Sequence, residues 1–241
     1  MSQCLTVLYL AVSALFALAA CTGTGTPPQF IAAPLSSSPV ILVQPEARVH
    51  KADHCETIQS SVSLFASSSG GWLGSGVAIG DGSHVVTAYH CIDQTNGLVS
   101  VRKAICSGDG SRRLGKSLDA EVVAFHAFHD VALLHPKNGR VQPLRRTSEF
   151  ASIGDTVRLF GSKTQGETGI VTETNQVHGP VEKGDSGGAV VNDRGELVGI
   201  AVKAFYYASD VADQSTCSAS RSRFSNYIFV PISTAVSALI R

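Results

Sequence analysis

The sequence lacks an excess of charge of either sign. Its 241 residues carry 19 lysines and arginines against 19 aspartates and glutamates, which gives a formal net charge of zero. Phosphate binding needs a basic excess or a basic patch, so nothing in this balance predicts nucleic acid as a partner. The charges are also missing from one end of the chain, since residues 1–45 contain none and the first is Glu46.

The sequence also lacks an apolar run of comfortable transmembrane length. The run LTVLYLAVSALFALAA at residues 5–20 is shorter than the roughly 20 residues that a spanning helix needs. A short apolar run near the N-terminus is typical of a secretory signal peptide. We therefore predict a signal peptide over residues 1–20; an apolar helix that belongs to the fold is the alternative.

Small residues and a cysteine end this run. The segment LAAC at residues 18–21 resembles the lipobox of bacterial lipoproteins, in which the cysteine is acylated and becomes the mature N-terminus. The resemblance implies lipid on Cys21 and an exported, membrane-anchored protein of the cell envelope that faces the periplasm or the outside. Ordinary cleavage after Ala20, which would give a free secreted protein, is the competing interpretation.

The next segment is rich in Thr, Ser, Gly and Pro. Five of the nine prolines of the chain lie between residues 22 and 54. Such a composition cannot bury enough apolar surface to fold by itself, so we predict a tether over residues 21–54 and a folded domain over residues 55–241. The apolar stretch VILVQP within the tether could instead dock on the domain as a strand.

The chain has no Cys-x-x-Cys pair that could combine with histidines into a zinc site, so neither zinc nor any other metal or cofactor is expected. Besides Cys4 and Cys21, the cysteines are Cys55, Cys91, Cys106 and Cys217. Four cysteines in an exported domain suggest two disulfides, with three possible connectivities. Our preferred pairing is Cys91 with Cys106, as a link between neighbouring strands, and Cys55 with Cys217.

Helical periodicity is missing from most of the chain. From Ser61 onward, short segments rich in Val, Ile, Phe and Thr alternate with the turn sequences GDGS, SGDG, PKNG and NDRG, a pattern typical of strands. This pattern predicts an all-β fold of sandwich or barrel type. A short helix is predicted only at the C-terminus, in PISTAVSALIR, and we expect two lobes that divide near residues 140–155.

No histidine follows Ser186, which lies in the glycine-rich segment EKGDSGGAV at residues 182–190. The segment fits the G-x-S-x-G motif of α/β-hydrolases, but those enzymes need a histidine after the serine, so that class is excluded. Taken by itself, a glycine-rich segment could also be a surface loop without any chemistry, because glycine only permits unusual backbone angles.

Two upstream segments supply a histidine and an aspartate. SHVVTAYHCI places His90 at the end of a β-branched strand, and FHDVALLH places Asp130 before an apolar run. Together with GDSGG, they resemble the trypsin/chymotrypsin family of serine proteases, in the chain order His, Asp, Ser; the subtilisin order does not fit. The resemblance covers roughly residues 60–235 and implies two packed six-stranded β-barrels with a short C-terminal helix.

The resemblance also implies a serine endopeptidase that acts on proteins or peptides. His90 would take the proton of Ser186 and Asp130 would orient the imidazole. The backbone N–H groups of Gly184 and Ser186 would form the oxyanion hole, and Asp185 would hold the loop. Because the activation junction of the digestive enzymes is absent, we do not expect activation by cleavage.

The resemblance assigns a substrate pocket to four residues: Pro180, Lys183, Val202 and Lys203. Pro180 stands where trypsin has an aspartate, so cleavage after Arg or Lys is not expected, and the two lysines favour small apolar or acidic side chains. Two other interpretations stay open. One is a binding or regulatory module of the protease fold without turnover, and the other is a structural surface lipoprotein.

Overall fold

The computed structural model describes residues 51–67, 69–205 and 223–240. The predicted signal peptide, the predicted acylation site Cys21, most of the predicted tether and Cys217 lie outside these residues. Among the residues that are described, no helix is both long and apolar enough to cross a membrane.

The first half of the described chain forms a closed barrel. Its strands are antiparallel neighbours in the order β1-β2-β3-β6-β5-β4. Side chains alternate between the two faces of a strand, and the inward ones fill the barrel with apolar residues that include Leu64, Val85 and Leu134. The strands are β1 (Ser61–Ala66), β2 (Trp72–Ile79), β3 (His84–Ala88), β4 (Leu98–Cys106), β5 (Arg112–His126) and β6 (Val131–Pro136).

The second half forms another closed barrel, in the order β10-β11-β12-β9-β8-β7. Its interior contains Leu159, Val177 and Phe229. The strands are β7 (Thr156–Phe160), β8 (Gln165–Glu173), β9 (Gln176–Glu182), β10 (Ala189–Val191), β11 (Leu197–Phe205) and β12 (Arg223–Pro231).

A connecting segment between β6 and β7 links the two barrels. Its first part binds the first barrel, where the N–H groups of Val141 and Leu144 donate to carbonyl groups of Gly82 and Ala78. Its second part binds the second barrel, where the Thr147 N–H donates to the Leu197 carbonyl and the Leu197 N–H donates to the Arg145 carbonyl. The hydrogen bonds therefore change from one barrel to the other between residues 144 and 145.

Helix α2 (Ile232–Leu239) follows β12 and buries one apolar stripe, formed by Ile232, Ala235 and Leu239. The stripe joins an apolar layer between the barrels that includes Val77, Val131 and Phe160. The prediction of an all-β fold with two packed six-stranded barrels and a short C-terminal helix is therefore confirmed.

Helix α1 (Lys51–Ser60) precedes β1 and was not expected, because the sequence KADHCETIQS has no repeating apolar face. Its first four residues belong to the predicted tether. Ile58 is buried in the layer between the barrels, and the ring of His54 lies 5.3 Å from that of Phe160. Tertiary contacts, more than amphipathic patterning, therefore support this helix.

The disulfide preferred from the sequence is wrong. Cys106 at the end of β4 is bonded to Cys55 of α1, with a Cα–Cα distance of 5.3 Å, and Cys91 is free and buried. The preferred pair of Cys91 and Cys106 assumed neighbouring strands, but β3, which precedes Cys91, is not adjacent to β4 in the barrel. Since Cys55 is bonded to Cys106, the expected bond between Cys55 and Cys217 is wrong as well.

Candidate active site

His90 and Asp130 lie side by side because the strands next to them are paired. Ala88 of β3 is opposite Val131 of β6. His90 lies in a short 3-10 turn (Tyr89–Cys91) directly after β3, and Asp130 immediately precedes β6. One carboxylate oxygen of Asp130 is 2.6 Å from His90 Nδ1, and the other accepts the His90 backbone N–H at 2.8 Å.

The backbone of Asp130 adopts a left-handed conformation with a φ of 53°. Aspartate tolerates this region better than most residues because its short polar side chain can form local hydrogen bonds. The Asp130 carbonyl also accepts the N–H of Tyr89 at 3.0 Å. Hydrogen bonds at three of its oxygens thus hold Asp130 against the turn that carries His90.

The hydrogen bond from Asp130 raises the pKa of His90 well above its usual value of 6.5. The adjacent Cys91 raises this pKa further, and burial acts in the opposite direction. A carboxylate on Nδ1 stabilises the imidazolium form, so the ring is suited to take up a proton and hold it as a cation.

Ser186 lies in the turn between β9 and β10, where the backbone requires glycine. Gly184 and Gly187 have φ values of 102° and 84°, a region that other residues rarely adopt. A Cβ on Gly184 would overlap the ring of Trp72, and one on Gly187 would overlap the carbonyl of Ser75. The glycines of GDSGG are therefore needed for close packing against β2, which a free surface loop would not require.

Backbone hydrogen bonds attach this turn to both barrels. On the side of the first barrel, the Ser186 carbonyl accepts the N–H of Ser75 at 2.8 Å. On the side of the second barrel, the N–H of Gly187 donates to Ala201 and that of Ala201 donates to Gly188, at 2.6 and 3.0 Å. The position of Ser186 therefore depends on how the barrels pack.

The carboxylate of Asp185 is fully buried beneath this turn. It accepts backbone N–H groups from Lys163, Thr164 and Glu182 at 2.8, 3.2 and 2.9 Å. Burial raises the pKa of Asp185, and the three amide donors oppose that shift. The residue holds the loop through hydrogen bonds and is not part of the cleft surface.

A cleft of about 370 Å³ contains His90, Asp130, Gly184 and Ser186 in its lining. Within the part of the chain that the structure describes, the Ser186 hydroxyl forms no hydrogen bond to His90 or to any other residue, and the N–H groups of Gly184 and Ser186 have no acceptor. A hydroxyl, an imidazole and two amide donors are therefore available to a molecule bound here.

Three of the four predicted pocket residues line the same cleft, namely Lys183, Val202 and Lys203. Pro180 is not among the described residues that line it. Val181 and Glu182, the last two residues of β9, line the cleft.

Two aromatic residues of the site were missed from the sequence. Tyr227 of β12 lines the cleft, although only 1% of it is exposed. Its hydroxyl has no hydrogen-bond partner among the described residues, and burial raises its pKa. Trp72 packs on Gly184. Trp72 is the single tryptophan of the chain, which is a signal that the sequence offers. The place of Tyr227 in the cleft has no such signal, because it depends on strand pairing across the barrel.

A family model described as "Trypsin-like peptidase domain" matches residues 74–200, a range that contains His90, Asp130 and Ser186. No curated protein matches the sequence.

Several solved structures share the fold at low sequence identity. The HtrA-type protease AlgW with a decapeptide has a TM-score of 0.59 and 17% identity, over 77% of this chain and 65% of the AlgW chain. The Rv3671c protease of M. tuberculosis H37Rv in its inactive form gives 0.57 and 21%, over 81% and 94%. The MamO protease domain of Magnetospirillum magneticum gives 0.57 and 22%, over 76% and 97%. This chain thus spans less than two thirds of the length of AlgW.

Proposed function

The chain belongs to the trypsin-like peptidase family, and from this premise we propose that it is a serine endopeptidase that uses His90, Asp130 and Ser186. The observation that carries the proposal is the 2.6 Å contact between His90 and Asp130 at the same cleft that contains Ser186. A serine hydroxyl is a poor nucleophile at neutral pH and needs such a base.

The reaction begins when Ser186 Oγ bonds to the carbonyl carbon of the scissile peptide and His90 takes the hydroxyl proton. The carbonyl electron pair moves onto oxygen, where the N–H groups of Gly184 and Ser186 stabilise the negative charge. The carbon–nitrogen bond then breaks, and His90 returns the proton to the leaving amine. Water repeats the sequence on the acyl-enzyme, which releases the acid product and restores Ser186.

Asp130 has two functions in this scheme. Its hydrogen bond selects the tautomer of His90 that presents an unprotonated Nε2 to the serine. Its charge stabilises the imidazolium that forms after proton transfer, in agreement with the raised pKa of His90. The second bond to the His90 backbone N–H keeps the carboxylate in place when the ring moves.

The cleft favours small apolar or acidic side chains at the residue before the cut. Its walls include Val181, Ala201 and Val202, and the ring of Tyr227 limits its extent. Besides Asp130, which is bonded to His90, the charged residues of the lining are Glu182, Lys183 and Lys203. Their positive balance disfavours Arg and Lys in a bound substrate.

The proposed location rests on the resemblance of residues 18–21 to a lipobox. We propose that acylated Cys21 anchors the protein in the cell envelope, with the Pro-rich segment between this anchor and the barrels. The support for this part of the proposal is the sequence of residues 5–21.

Labelling with a fluorophosphonate tests the enzyme proposal directly. We expect covalent attachment to wild-type protein and none to Ser186→Ala, with labelling of His90→Ala near background because triad members act as a unit. A binding module without turnover would leave the wild type unlabelled. Equal labelling of wild type and Ser186→Ala would show that another residue is the nucleophile.

A further inference from the structure

A chain of three serine hydroxyl groups, of the buried Ser63 and Ser75 and the half-buried Ser162, leads to the turn of Ser186. Ser75 Oγ donates to the carbonyl of Gly184 at 2.7 Å and accepts the N–H of Ser162 at 2.7 Å. Ser162 Oγ contacts Ser63 Oγ at 2.8 Å and donates to the Gly74 carbonyl at 3.1 Å. The chain therefore crosses from the first barrel to the second and back before it ends at Gly184.

Arg112, the first residue of β5, lies at the other end of this chain. Its Nη2 donates to Ser63 Oγ at 2.8 Å, while its Nε is buried and has no partner among the described residues. Burial lowers the pKa of Arg112, and the charge of Asp185 opposes that shift. Burying a guanidinium costs free energy unless the group is paired or hydrogen-bonded. In the described structure no carboxylate forms an ion pair with Arg112, so its hydrogen bond to Ser63 is the compensating contact.

The two ends of the chain have fixed donor and acceptor roles. A guanidinium can only donate and a carbonyl can only accept, so Arg112 donates to Ser63 at one end and Ser75 donates to the Gly184 carbonyl at the other. Between them, Ser162 Oγ lies 2.8 Å from Ser63 Oγ and 2.9 Å from Ser75 Oγ. A hydroxyl has one proton and two acceptor lone pairs, so these two middle contacts connect the ends without a fixed direction.

We propose that Arg112, acting through Ser63, Ser162 and Ser75, is a positioning residue for the oxyanion hole. The inference rests on the proposed function of Gly184. A glycine has little backbone preference of its own, so its peptide orientation must be held by outside contacts. The hydrogen bond of Ser75 to the Gly184 carbonyl fixes the peptide between Gly184 and Asp185, and the Trp72 ring covers the Cα. These contacts limit rotation about the Gly184 backbone bonds, on which the direction of its own N–H depends.

The chain gives Arg112 of the first barrel a continuous series of hydrogen bonds to a site on the second barrel. Electrostatic stabilisation of a transition state depends on donors that are already oriented. If the hydrogen bonds of the serine chain are broken, the Gly184 backbone can adopt other orientations. The Gly184 N–H then points at the substrate oxygen in a smaller fraction of the molecules. Substrate contacts made by the walls of the cleft are not altered by this change.

The experiment measures single-turnover labelling by a fluorophosphonate in the full-length protein. During labelling, the bond between Ser186 Oγ and phosphorus forms, fluoride leaves, His90 takes the hydroxyl proton, and the phosphonyl oxygen lies in the oxyanion hole. Removing a whole oxyanion donor costs about 10²–10³ in rate, and misorientation costs less. We expect Arg112→Met to lower the maximal labelling rate about tenfold, without change in the reagent concentration that gives half of that rate.

Two further variants separate positioning from stability. Arg112→Lys, which keeps a donor cation, should recover part of the rate. Arg113→Met, at an exposed neighbouring position on β5, should label like the wild type. Thermal unfolding followed by circular dichroism gives the folded fraction of each protein, so that rates are compared per folded molecule.

Ser162→Ala interrupts the middle of the chain without removing a charge, and it replaces Arg112→Met if that variant does not fold. A rate loss in Ser162→Ala of similar size supports the inference. Wild-type rates in folded Arg112→Met or Ser162→Ala overturn it while the enzyme proposal stands. Absence of labelling in the wild type overturns the enzyme proposal, and with it this inference.

Discussion

His90 is held by one carboxylate at two points, its ring and its own backbone N–H. This double contact explains why the site does not need a long side-chain network to orient the base. The ring is bonded to Asp130 at Nδ1, which in the proposed mechanism leaves Nε2 for proton transfer. The proposed chemistry therefore depends on the protonation state of this one imidazole.

The raised pKa of His90 predicts that activity and stability change in opposite directions with pH. The neutral ring is the base, so kcat/KM for peptide hydrolysis should rise with pH through a pKa well above 6.5. In the folded protein Asp130 stabilises the protonated ring of His90. The contribution of this pair to the free energy of unfolding is therefore complete below the unfolded-state pKa of about 6.5. That contribution is lost as pH rises through the pKa of the folded state.

Asp130→Asn should move the rising limb of the pH profile toward the ordinary histidine value and lower the maximal rate about ten-thousandfold, through the wrong tautomer. The measurement is kcat/KM and the thermal unfolding temperature across the pH range, for both proteins. A wild-type limb centred at or below 6.5 would contradict the proposed effect of Asp130.

The residues around the cleft predict its substrate preference. A peptide library should show cleavage after small apolar or acidic residues, because Val181 and Val202 line the cleft and Tyr227 limits it. Replacing the exposed rim residue Lys203 by Glu should reduce cleavage after acidic residues and leave cleavage after alanine unchanged. A strong preference of the wild type for Arg or Lys would be incompatible with this pocket.

At the scale of secondary-structure elements, helix α1 is attached to the first barrel at the tip of the β4–β5 hairpin. The bond between Cys55 and Cys106 closes a sequence separation of 51 residues. Arg112 pairs with Cys106 across this hairpin, so the disulfide and the first residue of the serine chain belong to the same tip. Helix α1, which has no repeating apolar face, is thus covalently bonded next to Arg112, the residue that we infer to position the oxyanion hole.

Removal of this disulfide should lower the free energy of unfolding. Loop-closure entropy for a separation of 51 residues corresponds to about 4 kcal/mol. Urea unfolding of the Cys55→Ser/Cys106→Ser double variant should show this loss relative to the oxidised wild type. Wild type with reductant should match the double variant, and the double variant should not respond to reductant. A wild type whose stability is unaffected by reductant would count against the bond.

At the scale of the whole molecule, the proposed site lies between two lobes and the proposed anchor lies at the other end of a Pro-rich segment. The turn of Ser186 is bonded to both barrels, so their packing and the site cannot be separated. Acylation of Cys21 would not change the packing of the barrels, because it would determine only the location of the domain in the cell envelope.

The location is tested by cell fractionation. If Cys21 carries acyl chains, the protein should sediment with membranes, since each buried methylene contributes roughly 0.8 kcal/mol and several chains give stable anchoring. Cys21→Ser should shift it to the soluble fraction, whereas Ser186→Ala, which keeps the lipobox, should remain with the membranes. Soluble wild type with an unmodified Cys21 by mass spectrometry would exclude the anchor.

Much of the fold could be predicted because its signals are local. Strands alternate apolar and polar residues with a period of two, turn sequences separate them, and the helix of Ile232–Leu239 has a clear apolar stripe. The order of the segments around His90, Asp130 and Ser186 is also a property of the chain alone. These features can be recognised in the sequence without knowing which strands are neighbours in the barrels.

The remaining features were decided by tertiary structure, because they depend on contacts between distant residues. The barrel order places α1, and not β3, beside β4, which determines the partner of Cys106. The pairing of β9 with β12 brings Val181 and Tyr227 to the same cleft. Ser63 and Ser162 are 99 residues apart in sequence, yet their hydroxyl groups are 2.8 Å apart. No local pattern marks such a pair, because only the packing of the two barrels brings them together.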